Sequence, residues 1–310
     1  MDGPAISFAI PYYSNAAYLR EAIDSVRGQT HRDWELVVVD DHGPEPVPDL
    51  VAEYGDPRIT YVRNETNLGL SGNWNECIRR ASGPLVTVLH ADDRLLPTYA
   101  ERVLEAARRH PYAAAVFTDV VTIGTDGGPV ETIADFAKRF ARRTRGDHDL
   151  RGDEGLAPLL AANYILCPTL CLRRELVGEA PFDRRWRFVP DWDFTSRLLL
   201  AGHTLHSVRS PLLEYRRHLG SQTSALTSDA SRFVEELELM REMADAARTR
   251  GWTRSERAAR RRISVRGHLA LRALGDMVGR RGGAAREKAR LLRVDLGRHP
   301  RLRTDHPDPQ

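Results

Sequence analysis

The chain reads as an α/β protein, a mostly parallel sheet flanked by helices with a C-terminal helical appendage, and three features predict this. Over residues 1–120 short apolar runs alternate with amphipathic stretches, the pattern of parallel strands joined by crossover helices. Two of those apolar runs end in paired acids, Asp40-Asp41 and Asp92-Asp93. From about Ser231 to Arg293 the composition shifts to Ala, Arg, Leu and Glu with helical spacing, broken near Gly251 and at Gly279 to Gly283.

Taken in order, Ile6 to Ile10 predicts a buried strand ended by Pro11. Tyr18 to Val26 has helical spacing at Leu19, Ala22, Ile23 and Val26. Trp34 to Val39 is a second strand, closed by Asp40-Asp41-His42-Gly43-Pro44. Val51 to Tyr54 falls in a short helix, and Ile59 to Val62 is a third strand. A helix across Trp74 to Arg80, a strand from Leu85 to Leu89, a helix over Tyr99 to Arg109 and a strand from Ala113 to Ile123 follow. Residues 138–152 are basic and turn-rich, with Gly146 and Gly152, and suit a mobile lid. Beyond them, Asp153 to Ala162 and Trp192 to Ala201 predict helices. Ile165 to Leu172 reads as extended, and Thr204 to Val208 and Leu212 to Tyr215 as short strands.

Composition excludes several classes. The 41% hydrophobic and 29% charged fractions are those of an ordinary globule, and no window reaches the roughly 18 apolar residues of a membrane span. The N-terminus has no basic region followed by a cleavage site, so we read no signal peptide and expect a cytoplasmic protein. Cys77, Cys167 and Cys171 make neither a disulfide framework nor a metal spacing. The formal charge is +3 and lysine occurs only at Lys138 and Lys288. The arginine runs lack aromatic interleaving, so no nucleic-acid partner is expected.

In an open parallel sheet, ligands bind at the carboxyl ends of the strands. Acids at those ends, with no Gly-rich loop and no P-loop signature, argue against a dinucleotide or P-loop fold. Beside a nucleoside diphosphate, carboxylates make sense through a bridging cation or by accepting hydrogen bonds from base or ribose. Two further features stand with them. Pro11-Tyr12-Tyr13-Ser14-Asn15 is a turn after strand one with an aromatic able to cover a base. Phe188-Val189-Pro190-Asp191-Trp192-Asp193-Phe194 is an acidic cluster opening a helix.

The ordered segments IPYYSNAAYLREAIDSVRGQT, WELVVVDDHG, NLGLSGNWNECIRRASGPL, VLHADD, FDRRWRFVPDWDFTSRLLLAG and YRRHLGSQTS resemble the family 2 glycosyltransferases of GT-A fold. The resemblance covers roughly residues 5–225 and implies an inverting, metal-assisted transfer from a nucleoside-diphosphate sugar, with UDP or dTDP sugars favoured, to an acceptor hydroxyl. That acceptor could be a small metabolite, a saccharide or a peptide. Pro11 lies in the donor segment. Tyr13 and Asp41 match positions that hold the nucleobase, with Asp40 able to share that role. Asn67, Gly69 and Asn75 match the stretch that closes around base and ribose. Asp92 and Asp93 match the motif that binds ribose and a divalent cation, Mn²⁺ or Mg²⁺, and His218 a position where some relatives supply another metal ligand. Asp191 matches the acid that deprotonates the acceptor. Trp192 could pack against an acceptor ring, and Arg216 and Arg217 could steady the departing diphosphate. His90 stands where many relatives have an acid, and Pro190 where a Glu commonly precedes the base.

On this reading residues 1–228 form the catalytic domain, with a nucleotide-sugar half over about 1–125 and an acceptor half over about 126–228. Residues 229–298 form the helical appendage and 299–310 a disordered tail. The apolar positions Leu237, Met240, Leu269, Ala273 and Met277 predict one buried helical face, packed in cis or against a second copy of the chain in a homodimer. Two rival readings remain. A nucleotidyltransferase-like enzyme would carry a Gly-rich basic loop that Pro11 to Ala17 is not. A degenerate nucleotide-binding scaffold would not be expected to keep Asp92, Asp93 and Asp191.

Overall fold

The computed structural model describes residues 3–130, 146–218 and 230–296. The first half alternates strand and helix as the periodicity requires: β1 (Ile6–Tyr12), α1 (Ala16–Arg27), β2 (Trp34–Asp40), α2 (Pro48–Ala52), β3 (Ile59–Arg63), α3 (Gly69–Arg80), β4 (Leu85–Val88), β5 (Arg94–Leu95), α4 (Tyr99–Arg109) and β6 (Ala113–Ile123). There follow β7 (His148–Leu150), α5 (Gly152–Ala161), β8 (Leu170–Arg173), α6 (Arg174–Val177), α7 (Pro190–Leu200) and β9 (Thr204–Arg216). Four helices complete the described chain: α8 (Ser231–Thr249), α9 (Thr253–Arg261), α10 (Ile263–Val278) and α11 (Gly282–Leu296).

The strands form one sheet in the order β3-β2-β1-β4-β8-β6-β9-β5, with β7 paired to β9. β1 to β4 run parallel, and β6 is parallel to β9, whereas β8 is antiparallel to β4 and β6. Both faces of the sheet are covered, which is why β1 and β2 read as continuous apolar runs. Phe8, Ile10 and Tyr12 pack with Leu19 and Ile23 of α1 and Val103 of α4. The alternate residues Ala9, Val37 and Val39 face Trp74 and Ile78 of α3. That second core continues through Phe194 and Leu199 of α7 into Phe233, Leu237 and Met240 of α8, Leu269 of α10 and Leu291 of α11. None of the helices is long and apolar enough to cross a membrane among the described residues.

Several boundaries differ from the sequence reading. Pro11 does not end β1, because pairing with β2 continues through Pro11↔Val39 and Tyr12↔Asp40 after pairing with β4 has stopped at Ala9↔Val88. The two short strands expected over 204–215 are one strand, β9. Register shifts at Thr118/Asp119 and Asp119/Val120 let Pro211 lie opposite Asp119 without breaking the ladder with β6. The short helix expected to hold 51–54 spans 48–52, with Pro48 in its first turn, so Glu53 and Tyr54 fall beyond its end. The run 165–172 is extended only from Leu170, after a single 3₁₀ turn over Cys167–Thr169. Residues 138–145 of the expected lid lie outside the described residues. His148–Leu150 is a strand held on β9, not loop. Residues 219–229 and 297–310, which include the expected domain junction and tail, also lie outside them. Leu237, Met240, Leu269 and Ala273 are buried as expected, but Met277 is exposed. The inward position of that turn is taken by Asp276, which pairs with Lys288 at 3.0 Å and Arg281 at 2.8 Å.

Candidate active site

The residues expected to form the site fall into three clusters, two at the carboxyl ends of β2 and β4 and a third at the start of α7. At the end of β2 the two neighbouring acids do different things. Asp40 is fully buried and its carboxylate is used inside the protein. Oδ1 accepts from Gly43 N at 2.9 Å, and Oδ2 accepts from Tyr61 Oη at 2.5 Å and Arg63 Nη1 at 2.8 Å. This ion pair closes the β2–β3 end and engages both carboxylate oxygens of Asp40 inside the protein. Asp41 Oδ1 accepts from Asn64 Nδ2 at 2.9 Å and Leu68 N at 2.8 Å. Asn64 also donates to Asn73 Oδ1, and Asn73 Nδ2 is anchored on Val39 O. Asp41 Oδ2 accepts no protein hydrogen bond among the described residues. Gly43 is a steric requirement, since a Cβ there would lie 1.9 Å from the carbonyl oxygen of Tyr13. That close approach seats Tyr13, whose ring is half exposed, beside the Asp41 corner.

The stretch after β3 divides. Asn67 Oδ1 accepts from Gly69 N at 2.8 Å, an Asx turn that launches α3 with Gly69 at φ +74°. Asn75, by contrast, is spent on structure. Its Nδ2 donates to Phe182 O at 2.8 Å and its Oδ1 accepts from Phe182 N at 2.9 Å. Asn75 thus ties the 182 segment to α3 through both its amide oxygen and its amide nitrogen. Pro11 lies within β1, opposite Val39 of β2.

The second cluster is the turn from β4 into β5. Asp93 is fully buried. Its Oδ1 accepts from Arg216 N at 2.8 Å, while its Oδ2 has no hydrogen-bond partner among the described residues and lies 3.8 Å from His90 Nδ1. Burial, then the charge of Asp92, pushes the Asp93 carboxyl well above the usual carboxylate range. His90 stacks on Trp74 with ring centroids 5.0 Å apart, and its Nε2 is also buried without a partner. Burial lowers the His90 pKa and favours the neutral ring, whose lone pair can bind a cation. Asp92 Oδ2 lies 3.0 Å from His218 Nε2. Ligand atoms of His90, Asp92 and Asp93 all lie within 4.8 Å of one another. An orphaned carboxylate oxygen, an orphaned imidazole and a part-exposed carboxylate fit a divalent cation. Arg216 is not free for a diphosphate. Its guanidinium donates to Asp92 O, Gly124 O, Thr125 O and Glu21, the last at 2.5 Å.

The third cluster opens α7. Pro190 occupies the first helical turn and Asp191 follows it, with Oδ1 accepting from Trp192 N at 2.8 Å. A carboxylate there is favoured by the helix N-terminus. Burial and the charges of Asp93, Asp92 and Asp191 together raise the Tyr215 pKa, opposed by Arg217. The Cys167 thiol is likewise pushed up, by burial first and then by Asp191, Cys77 and Asp93.

Residues 7–154 match the family model described as Glycosyl transferase family 2. The N-terminal half of the chain belongs to that family. The chain is also similar to the uncharacterized glycosyltransferase MJ1057 of Methanocaldococcus jannaschii, 23% identical over 220 residues, 70% of this chain and 72% of that protein. In structure it is similar to S. aureus TarS 1–349, solved in complex with UDP-GlcNAc. That match has a TM-score of 0.57 and 16% identity over 96% of this chain and 93% of TarS 1–349. The mannosyltransferase PcManGT from Pyrobaculum calidifontis, solved with GDP-Man and Mn²⁺, gives a TM-score of 0.56 and 18% identity over 96% of this chain and 81% of that one. These likenesses show the GT-A fold.

In this glycosyltransferase several residues that shape the site were not legible beforehand. Asn64 and Asn73 were not singled out in the sequence, yet both are buried, and Asn64, held by Asn73, donates to Asp41. Trp192 is buried with its indole donating to Leu159 O at 3.0 Å, so it braces α7 against α5 instead of meeting an acceptor. Glu235, on α8, accepts from Phe188 N at 2.7 Å and Arg187 N at 3.0 Å. It fixes the segment that leads into Asp191 from 47 residues away, a relation no sequence pattern announces.

Proposed function

We propose that this glycosyltransferase moves a sugar from a nucleoside-diphosphate sugar to an acceptor hydroxyl in a single inverting displacement, with Asp191 as general base. The grouping of His90, Asp92 and Asp93, with buried and partnerless Asp93 Oδ2 and His90 Nε2 among the described residues, carries this reading, together with Asp191 opening α7. Tyr13 would cover the base and the available Oδ2 of Asp41 would accept an imide N–H, which uracil and thymine both present. Asp92 and Asp93 would hold a divalent cation, Mn²⁺ or Mg²⁺, with His218 and His90 at its side. When bound, such a cation supplies positive charge beside the diphosphate. Asp191, set at a helix start with one oxygen held by Trp192 N, would take the acceptor proton as the hydroxyl oxygen attacks the anomeric carbon from the face opposite the leaving group. The sugar–phosphate bond breaks as the glycosidic bond forms, so an α-linked donor gives a β-glycoside without an enzyme nucleophile. Residues 1–228 would be the catalytic unit, with the C-terminal helices bracing it. The solved relatives that hold UDP-GlcNAc, or GDP-Man with Mn²⁺, support a nucleotide-sugar donor and a cation here.

Turnover of UDP and dTDP sugars, read as released nucleoside diphosphate, tests this. Activity is expected to vanish in EDTA and return with Mn²⁺ or Mg²⁺, and NMR of the product is expected to show the inverted anomer. Full activity in chelator, or a retained anomeric configuration, would overturn the proposal.

A further inference from the structure

A second group of ligand atoms lies well away from the donor edge. His110 caps the C-terminal end of α4, Asp149 is the middle residue of β7, and His206 is its direct cross-strand partner on β9. On β9, His206 stands ten residues before Arg216, which contacts Asp92 and Asp93; at strand rise this is up to about 30 Å. We propose that His110, Asp149 and His206 form a metal site for a borderline divalent transition ion such as Zn²⁺, independent of the donor site.

The donor atoms carry the argument. One ligand atom from each residue lies within 4.8 Å of the others. His206 Nδ1 is 2.7 Å and His110 Nδ1 3.7 Å from the same oxygen, Asp149 Oδ1, and the two imidazoles stack with centroids 3.6 Å apart. Two imidazoles with one carboxylate suit Zn²⁺ far better than Mg²⁺ or Ca²⁺, which prefer all-oxygen shells. The carboxylate is also braced from behind: Asp149 Oδ2 accepts from Tyr112 Oη at 3.1 Å and Arg151 Nη2 at 2.8 Å. Such bracing orients a metal-binding carboxylate. Burial alone would raise the Asp149 pKa, but the hydrogen bonds from His206 and Tyr112 and the charge of Arg151 hold it low, so the ligand is ionised. His206 is 4% exposed, and the triad opens on a cavity of about 330 Å³ also lined by Glu105, Arg109 and Asp147. The cavity leaves room for water or an outside ligand to complete the coordination shell, and Arg109 is neutralised there by Glu105 at 2.5 Å. Metal binding replaces the His206–Asp149 hydrogen bond and requires the part-exposed His110 ring to turn toward the ion. The ion would clamp the three-residue strand β7 between α4 and β9.

The test uses the full chain, stripped of metal, with Zn²⁺ titrated calorimetrically and Co²⁺ added as a spectroscopic probe. Wild type and Asp92→Asn are expected to bind one Zn²⁺ at this site and to show Co²⁺ absorption in the visible. His110→Ala and Asp149→Asn are expected to weaken that binding at least about tenfold. Zn²⁺ is expected to raise the Tm of wild type and not that of His110→Ala. His110 lies at the surface end of a helix, so this variant keeps the test valid if Asp149→Asn fails to fold. Absence of Zn²⁺ binding by wild type would overturn the site. So would equal affinity in His110→Ala, or loss of the ion in Asp92→Asn in place of His110→Ala.

Discussion

Asp40 and Asp41 are adjacent, and the strand alternation sends them to opposite duties. Asp40 turns to Arg63 and Tyr61 and closes the sheet end, while Asp41 is held by Asn64 and Leu68 N with one oxygen to spare. Asp41→Asn is therefore expected to weaken donor binding on the order of tenfold, the cost of one charge-assisted hydrogen bond, with little change in melting temperature. Calorimetric titration with the nucleoside diphosphate checks this, and unchanged affinity would remove Asp41 from the base-binding corner. The acids were legible as residues because paired carboxylates at strand ends are a chemical signal. Their division of labour was not, because it depends on Arg63, Asn64 and Asn73 arriving from other elements. Arg216 makes the same point: it reads as a phosphate ligand, yet its guanidinium is buried against Glu21 and the carbonyls of Asp92, Gly124 and Thr125.

At the scale of elements, the parallel half followed directly from periodicity. α4 and β6 have the expected limits, and α1, α3 and β4 differ from them by a few residues at their ends. The second half was harder to read because its strands are irregular. β8 is four residues long after a 3₁₀ turn, and β9 absorbs Pro211 through register shifts. α8 meets the site through Glu235, whose carboxylate gathers the backbone N–H groups of Arg187 and Phe188 just before α7. Glu235→Ala frees that segment. It is expected to lower kcat by tenfold or more while leaving the donor Kd within twofold, because misplacing a general base by about 1 Å costs rate and not donor binding. Glu235→Gln, which keeps an acceptor oxygen, is expected to recover part of the rate. Equal losses in kcat and donor affinity would mean that the contact merely supports the fold.

The whole molecule is a covered sheet whose second core does not stop at the catalytic strands. Phe233, Leu237, Leu239 and Met240 are fully buried in it, each worth about 1.5–3 kcal/mol of burial. Deleting residues 231–310 is accordingly expected to give insoluble protein or a Tm lowered by more than ten degrees, measured by circular dichroism. A soluble truncated chain with an unchanged Tm would show that the helices are not part of this core. Helical spacing predicted that these helices have a buried face. It could not say that the face continues the core behind α7, nor that Asp276 and Lys288 would take the inward place left by Met277.

The central claim is that Asp191 removes the acceptor proton. Asp191→Asn keeps the side-chain oxygen that accepts from Trp192 N and replaces the other, basic oxygen with an amide. The deciding measurement is steady-state turnover of this variant beside calorimetric binding of the donor. A fall in kcat of about 10²- to 10⁴-fold with donor affinity unchanged is the predicted result. Activity within tenfold of the wild type would contradict it.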